Sequence, residues 1–202
     1  MTSTRTGLRH HWVALRAMLV LTAAIGILYP IGVTAAGQFA LPWQANGSAV
    51  ANDGRVVGSA LVGQSFSDAD GAPLPQWFQP RPSAAGAGYD AGASSGSNWG
   101  PENPDLISAI TDRRSAIAAF EGVDPADVPA DALTASASGL DPHISPAYAE
   151  LQVDRIAAER GLPVATVHDL VESRIQGRDL GYLGEPTVNV LQLNEALDQL
   201  KG

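Results

Sequence analysis

An α+β domain carried on one N-terminal membrane-spanning helix is the architecture this sequence predicts. Three observations predict it. An uncharged, mostly apolar run extends from Ala17 to Ala36; helix-period apolar stripes in the second half open on Asn-Pro or Ser-Pro pairs and close near glycine; and residues 55–66 and 187–193 alternate as strands do. The expected layout is residues 1–11 as a short cytoplasmic N-terminus, 12–39 as the transmembrane helix and 40–202 as a single extracytoplasmic domain with a small sheet and about four helices.

The apolar run, as a helix, spans about 30 Å, the thickness of a bilayer's hydrocarbon core. Trp12 on one side and Phe39 with Trp43 on the other suit interfacial anchoring, and Arg16 can snorkel to the near headgroups. Arg5, Arg9 and Arg16 precede the run and the next basic residue is Arg55, so the positive-inside rule places the N-terminus in the cytoplasm and everything after residue 40 outside. A cleaved signal peptide is the competing reading, suggested by the basic start and Thr34-Ala35-Ala36; the apolar core is long for one. Thr22, Gly26, Gly32 and Ala36 form two small-xxx-small pairs and Pro30 is expected to bend the helix, both compatible with close approach of a partner helix.

Beyond the run, residues 55–66 read as two short strands or one strand bulged at Gly58. The stretch 67–104, rich in Gly and Pro, is a long loop pinned by burial of Trp77, Phe78 and Trp99 in the domain or in a partner. Asn103 as N-cap, Pro104 in the first turn and Asp105 at the positive helix end open a helix that runs to about Phe120, before Gly122, with Leu106, Ile110 and Ile117 as its stripe. Residues 124–131 form a connector. Ser145-Pro146 opens a second helix closed by Gly161; a third covers about residues 164–175; and Asn194 is placed to cap a last short helix ending at Leu200.

Charge and composition narrow the function. The whole chain carries a net charge of −9, but all 21 acidic residues lie beyond residue 52 with only 9 of the 12 basic ones, leaving that part at −12. A nucleic-acid partner is therefore excluded, since phosphate binding needs a basic face. The absence of cysteine removes disulfides, thiolate catalysis and Cys-based zinc sites. The single lysine, Lys201, leaves no phosphate-binding P-loop and no Ser-x-x-Lys catalysis, and no Asp-Lys-Thr-Gly phosphorylation sequence is present.

Two candidate chemistries remain. Gly92-Ala93-Ser94-Ser95-Gly96 matches a nucleophile elbow, and with His143 or His168 would make a membrane-anchored extracytoplasmic serine hydrolase, but the strand before it and the helix after it are missing from the pattern. Asp141-Pro142-His143 offers two metal ligands, too few for a site, and the pair reads instead as local bonding that caps the helix at Ser145. Arg81 is either an ion-pair anchor for Asp105 or Asp141 or an interface residue; Gln64 is either a sheet-edge hydrogen bonder or a partner contact.

Several motifs recur in one order: Pro42-Trp43-Gln44-Ala45-Asn46-Gly47-Ser48; Gly58-Ser59-Ala60-Leu61-Val62-Gly63-Gln64-Ser65-Phe66; Trp77-Phe78 leading to Arg81-Pro82-Ser83-Ala84; the loop from Ser94 through Asn98 to Asn103-Pro104-Asp105; the loop from Thr134 to Pro146; and Gly184-Glu185-Pro186-Thr187-Val188-Asn189-Val190-Leu191. On these motifs the chain, nearly end to end, resembles the C subunit of the Kdp-type bacterial potassium-transporting P-type ATPase. Trp77, where that pattern has Tyr, and the insertion-like stretch 67–76 are departures from it. The resemblance implies a single-pass inner-membrane accessory subunit, assembled with a potassium-binding channel-like subunit and a P-type ATPase subunit. ATP and potassium are then handled through those partners, with no cofactor or metal held by this chain. It also implies a catalytic-chaperone role that raises the ATPase subunit's nucleotide affinity, an ATP-binding connection that the outside placement of the domain makes indirect. A single-span sensor is disfavoured because no cytoplasmic output domain precedes the helix. The positions expected to matter structurally or at an interface are Gln64, Phe66, Arg81, Ser83, Ser95, Asn98, Asn103, Asp105, Asp141, His143, Ser145 and Asn189.

Overall fold

The computed structural model describes residues 3–200 and divides into two units, residues 1–48 and 49–202. In the first, helix α1 (Ser3–Ala23) passes through a π-helical turn (Ala24–Leu28) into α2 (Tyr29–Ala40). The π turn sits just ahead of Pro30, which lacks an N–H and whose ring would press on the carbonyl four residues back; widening the turn is one way to accommodate it. The stretch Arg9–Ala40 is long and apolar enough to cross a bilayer, and its Leu, Ile and Val side chains are exposed within the unit. A short helix α3 (Pro42–Ala45) follows. Asn46 ends it and exchanges amide hydrogen bonds with Gln38, donating at 3.0 Å and accepting at 3.2 Å, so the Pro42-to-Ser48 motif folds the exit of the long helix back on itself.

The second unit opens with an antiparallel hairpin, β1 (Ala49–Asn52) and β2 (Arg55–Ser59). Its turn residues Asp53 and Gly54 both have positive φ, 48° and 79°, as a two-residue type I′ turn requires. The strand in residues 55–66 therefore ends at Ser59 and pairs backward with residues 49–52, a strand the alternation pattern did not indicate. A bulge is present: Val50 faces Gly58 and Ala51 faces Val56, leaving Val57 unpaired in the ladder.

Helix α4 (Pro104–Glu121) is capped by Asn103, whose side chain accepts from the Asp105 N–H, and closes at Gly122. The connector contains a 3₁₀ turn (Pro125–Asp127) and a single-turn helix α5 (Ala130–Leu133). The helix opened by Ser145-Pro146 is broken in two, α6 (Pro146–Leu151) and α7 (Val153–Arg160), at Gln152, before α8 (Val164–Arg174). A three-stranded antiparallel sheet in the order β3 (His143–Ile144), β5 (Thr187–Asn189), β4 (Ile175–Gln176) joins distant loops. Ile144 and Ile175 both lie opposite Val188, so the central strand's inward valine is flanked on each side.

The last strand is shorter and the last helix longer than the pattern suggests. Asn189, not Asn194, is the N-cap of α9 (Val190–Asp198), and its side chain accepts from Gln192 N–H at 3.1 Å. Val190, Leu191, Leu193 and Leu197 then belong to one helical face rather than to a strand, and they are buried with Phe78, Ile144, Ile156, Val167, Val171 and Val188. Complete burial of Phe78 contributes on the order of 2–3 kcal/mol.

Asn194 has a different use. Fully inside, it accepts from Phe78 N–H at 2.9 Å and donates to Phe78 C=O at 3.0 Å. Gln152, also fully buried, does the same for Gln79, accepting at 2.6 Å and donating at 3.2 Å. Two side-chain amides thus bond the long loop's backbone as a neighbouring strand would, which satisfies groups that could not be left bare in the core. Arg155 adds to this by hydrogen-bonding Pro75 and Trp77 carbonyls while paired with Glu121 at 2.8 Å, and the Arg160 guanidinium lies 4.3 Å over the Trp77 ring. The loop is pinned mainly by side chains, with few regular backbone ladders.

Candidate functional site

Residues 79–104 and 134–145 form a clamp of two loops. Arg81 donates through Nη1 to Asp141 Oδ2 at 3.1 Å and through Nη2 to Thr134 C=O at 3.3 Å. The Ser83 hydroxyl donates to Gly139 C=O at 2.6 Å and accepts from Tyr89 N–H at 2.8 Å, while the Tyr89 phenol returns to Arg81 C=O. Ser95 N–H and Ser94 Oγ both donate to Ser138 C=O, at 3.0 Å and 2.9 Å. Gly63 N–H donates to Leu140 C=O at 2.8 Å, which ties the Gly58-to-Phe66 motif to the same clamp.

The small residues are there for contact distance. A Cβ on Gly139 (φ +67°) would sit 2.6 Å from both Ala85 N and Ser95 O, so any side chain would push the loops apart. A Cβ on Gly58 would meet the Gln64 amide at 1.9 Å. That amide donates to Val57 C=O at 3.0 Å, the carbonyl the bulge has removed from the ladder, which gives Gln64 a sheet-closing use.

Asp141 is shared. Its Oδ1 accepts from His143 N–H at 3.0 Å and lies 3.4 Å from His143 Nδ1, while Oδ2 takes Arg81. Burial pushes this carboxyl's pKa upward, but the His143 hydrogen bonds and the Arg81 charge outweigh it and hold it below the ordinary carboxylate range. Burial, followed by the Asp141 charge, raises the Tyr89 phenol, which stays protonated and donating. The Asp141–His143 pair is local, as expected, but it does not cap the next helix. Ser145 does that alone, its Oγ accepting from Tyr148 N–H at 3.0 Å, and Asp131 holds Ser145 through both oxygens at 2.7 and 2.8 Å. The cap lies 14 residues from its anchor, beyond the local window in which Asp141 was the obvious choice.

The sequence-derived positions fall into four groups. Arg81, Ser83, Ser95, Asp141 and His143 meet in the clamp. Ser145 and Asn189 adjoin it through β3 and β5, with Asn189 also donating to Ala60 C=O at 2.8 Å. Gln64 closes the bulge, and Phe66 packs at 6.1 Å from Trp77 at the edge of the core. Asn98, exposed with φ +53°, Asn103 and Asp105 lie apart, where the loop enters α4. Tyr89, Gly139, Asp131, Gln152 and Asn194 were not among the candidates. Gly139 could have been found, because Ser138-Gly139 is a turn signal inside a loop otherwise fixed by polar residues.

For acyl-transfer chemistry the clamp lacks the working contacts. Ser94 and Ser95 hydroxyls donate to backbone carbonyls, Ser138 and Gly96, and among the described residues no histidine bonds to either. Neither a strand before Ser94 nor a helix after Gly96 is formed. Among the described residues no three metal-ligating side chains gather, so Asp141 and His143 remain a pair.

Beside the clamp lies a cleft of about 390 Å³, walled by Arg81, Ser83 and Tyr89 on one side and by Arg113 and Ile117 of α4 on the other. A smaller cavity of about 130 Å³ shares Pro73, Gln79, Ile117 and Tyr148 with it and adds Phe120.

Residues 11–199 match the protein family described as KdpC: K+-transporting ATPase, c chain. Similar proteins include the potassium-transporting ATPase KdpC subunit of Kineococcus radiotolerans, 55% identical over 190 residues that cover 94% of this chain and 93% of that one. The proteins of the same name from Gemmatimonas aurantiaca and Methylococcus capsulatus are 54% identical over 191 residues and 50% over 195, covering 92% and 96% of this chain and 92% and 100% of theirs.

Proposed function

This chain belongs to the KdpC family, the c chain of the K+-transporting ATPase, and on that premise we propose that it is a non-catalytic accessory subunit of an ATP-driven potassium uptake complex. Its long apolar helix crosses the membrane once with Arg5, Arg9 and Arg16 on the cytoplasmic side, and its acidic domain stands outside, assembled with a channel-like potassium-binding subunit and a P-type ATPase subunit.

The observation that carries the reading is the way the clamp spends its polar groups. Arg81, Ser83, Tyr89, Ser94, Asp141 and Ser145 are each engaged with a carbonyl, amide or charge of their own chain. Such an arrangement fixes surface shape and offers no activated nucleophile, which suits a subunit that acts by packing against others. Its direct effect is stabilisation of the assembly or gating near the outer mouth. Any rise in the ATPase subunit's nucleotide affinity passes through the partners, because ATP is cytoplasmic and this domain is not.

Growth tests the proposal. In a bacterium whose own copy of this subunit is deleted and whose growth at low potassium depends on the complex, the full chain restores growth. A secreted version lacking residues up to Ala40 does not, and Ser94→Ala restores it fully. Restoration by the secreted domain, or loss of growth in Ser94→Ala and Ser95→Ala with the protein still present in the membrane, would overturn it.

A further inference from the structure

We propose that the cleft between Arg81 and Arg113 receives an extended segment of another subunit, carrying an Asp or Glu beside an apolar residue; this rests on the subunit reading above. The cleft is lined by two arginines and by no acidic residue, in a part of the chain whose net charge is −12. The two arginines are not equivalent. Arg81 is already neutralised by Asp141 at 3.1 Å. Arg113 has no carboxylate partner among the described residues and only donates from Nη1 to Leu133 C=O at 2.8 Å, a bond that fixes its direction without balancing its charge. One surplus cation, held by a backbone carbonyl, is left facing a cleft with Ser65 and Ser67 on its rim. A guanidinium fork so placed takes a carboxylate through its remaining N–H groups.

The occupant's other feature comes from the walls. Pro73, Pro80 and Ile117 give the cleft an apolar side, and the adjoining cavity adds Ala116 and Phe120, together with Glu121, whose charge Arg155 balances at 2.8 Å. A cleft of about 390 Å³ has room for roughly a dozen waters at about 30 Å³ each, so a small free anion on Arg113 would leave that apolar surface wet. A peptide segment brings a carboxylate and an apolar neighbour together and covers both. The acidic domain elsewhere repels such a segment, which makes this surface selective among those available.

A photo-crosslinking residue at Ser65, in the full-length chain within the membrane-assembled complex, tests this. We expect a cross-linked peptide from another subunit that contains Asp or Glu. The yield falls at least about tenfold in Arg113→Glu, and less in Arg113→Gln, and returns when the identified acid is replaced by arginine in the Arg113→Glu background. An intact complex without such a cross-link, a cross-linked peptide without an acid, or a yield indifferent to both Arg113 variants would overturn the inference and leave the subunit reading standing. A thermal shift of the isolated full chain by inorganic phosphate, abolished in Arg113→Gln, would replace the acidic segment with a free anion. Absence of any complex from wild-type membranes would sink both.

Discussion

Asn194 and Phe78 stand 116 residues apart in sequence, yet the side-chain amide of one satisfies both backbone groups of the other, at 2.9 and 3.0 Å, in the centre of the core. This pair, with Gln152 on Gln79, explains how a long Gly- and Pro-rich loop can cross a packed interior without a sheet of its own.

Asn194→Leu keeps the branching of the side chain but puts bulkier methyl groups where the amide was and leaves the Phe78 N–H and C=O without partners. Each buried unpaired group costs about 1–3 kcal/mol, so the unit formed by residues 49–202 should lose roughly 2–6 kcal/mol. Thermal unfolding of the full chain in detergent reads this as a large drop in midpoint, whereas Asn98→Gly, at an exposed loop residue whose φ of +53° glycine adopts freely, should leave it almost unchanged.

The Arg81–Asp141 pair predicts a pH dependence. The carboxyl's pKa is held below its unfolded value of about 3.9, so its stabilising contribution is present in full above that value and is lost as pH falls through the lower folded one. Asp141→Asn keeps an oxygen for the His143 N–H and removes the charge. It should destabilise by about 1–2 kcal/mol at neutral pH, with the difference from wild type shrinking below about pH 4. A difference that persists unchanged to pH 2 would contradict this assignment.

Gly139→Ala should separate the two loops, because the new Cβ would fall 2.6 Å from two backbone atoms at a residue with positive φ. A loss of more than about 2 kcal/mol and rapid proteolysis between residues 80 and 104 are expected. Gly177→Ala, with open space around its Cβ, should be neutral or slightly stabilising, by up to about 1 kcal/mol.

Removal of the Asn103 cap by alanine should cost about 1 kcal/mol and fray the first turn of α4, seen as faster amide exchange at residues 105–107.

Helix starts at Asn103 and Ser145 were legible in the sequence because a cap is local chemistry, complete within three or four residues. The bulge beside Gly58 was one of two readings left open there, because a bulge is defined against its partner strand, residues 49–52, which the alternation did not indicate. Asn194 obeyed the same local rule and was misread by it, since what decides its use is a loop far along the chain. The Arg81 partner stayed undecided between Asp105 and Asp141 because spacing in sequence says nothing about which loop folds back. Two-residue strands such as β3 and β4 carry no period at all. Asp53-Gly54 was a readable hairpin signal, and with it the strand before residue 53 could have been placed.

The most direct measurement is to tag the C-terminus, solubilise membranes gently after growth at low potassium and identify what copurifies by mass spectrometry. Recovery of a multi-span channel-like protein and a P-type ATPase in fixed proportion to this chain is the predicted result. Recovery of the chain alone, where both candidates are present and soluble, would contradict its role as a subunit.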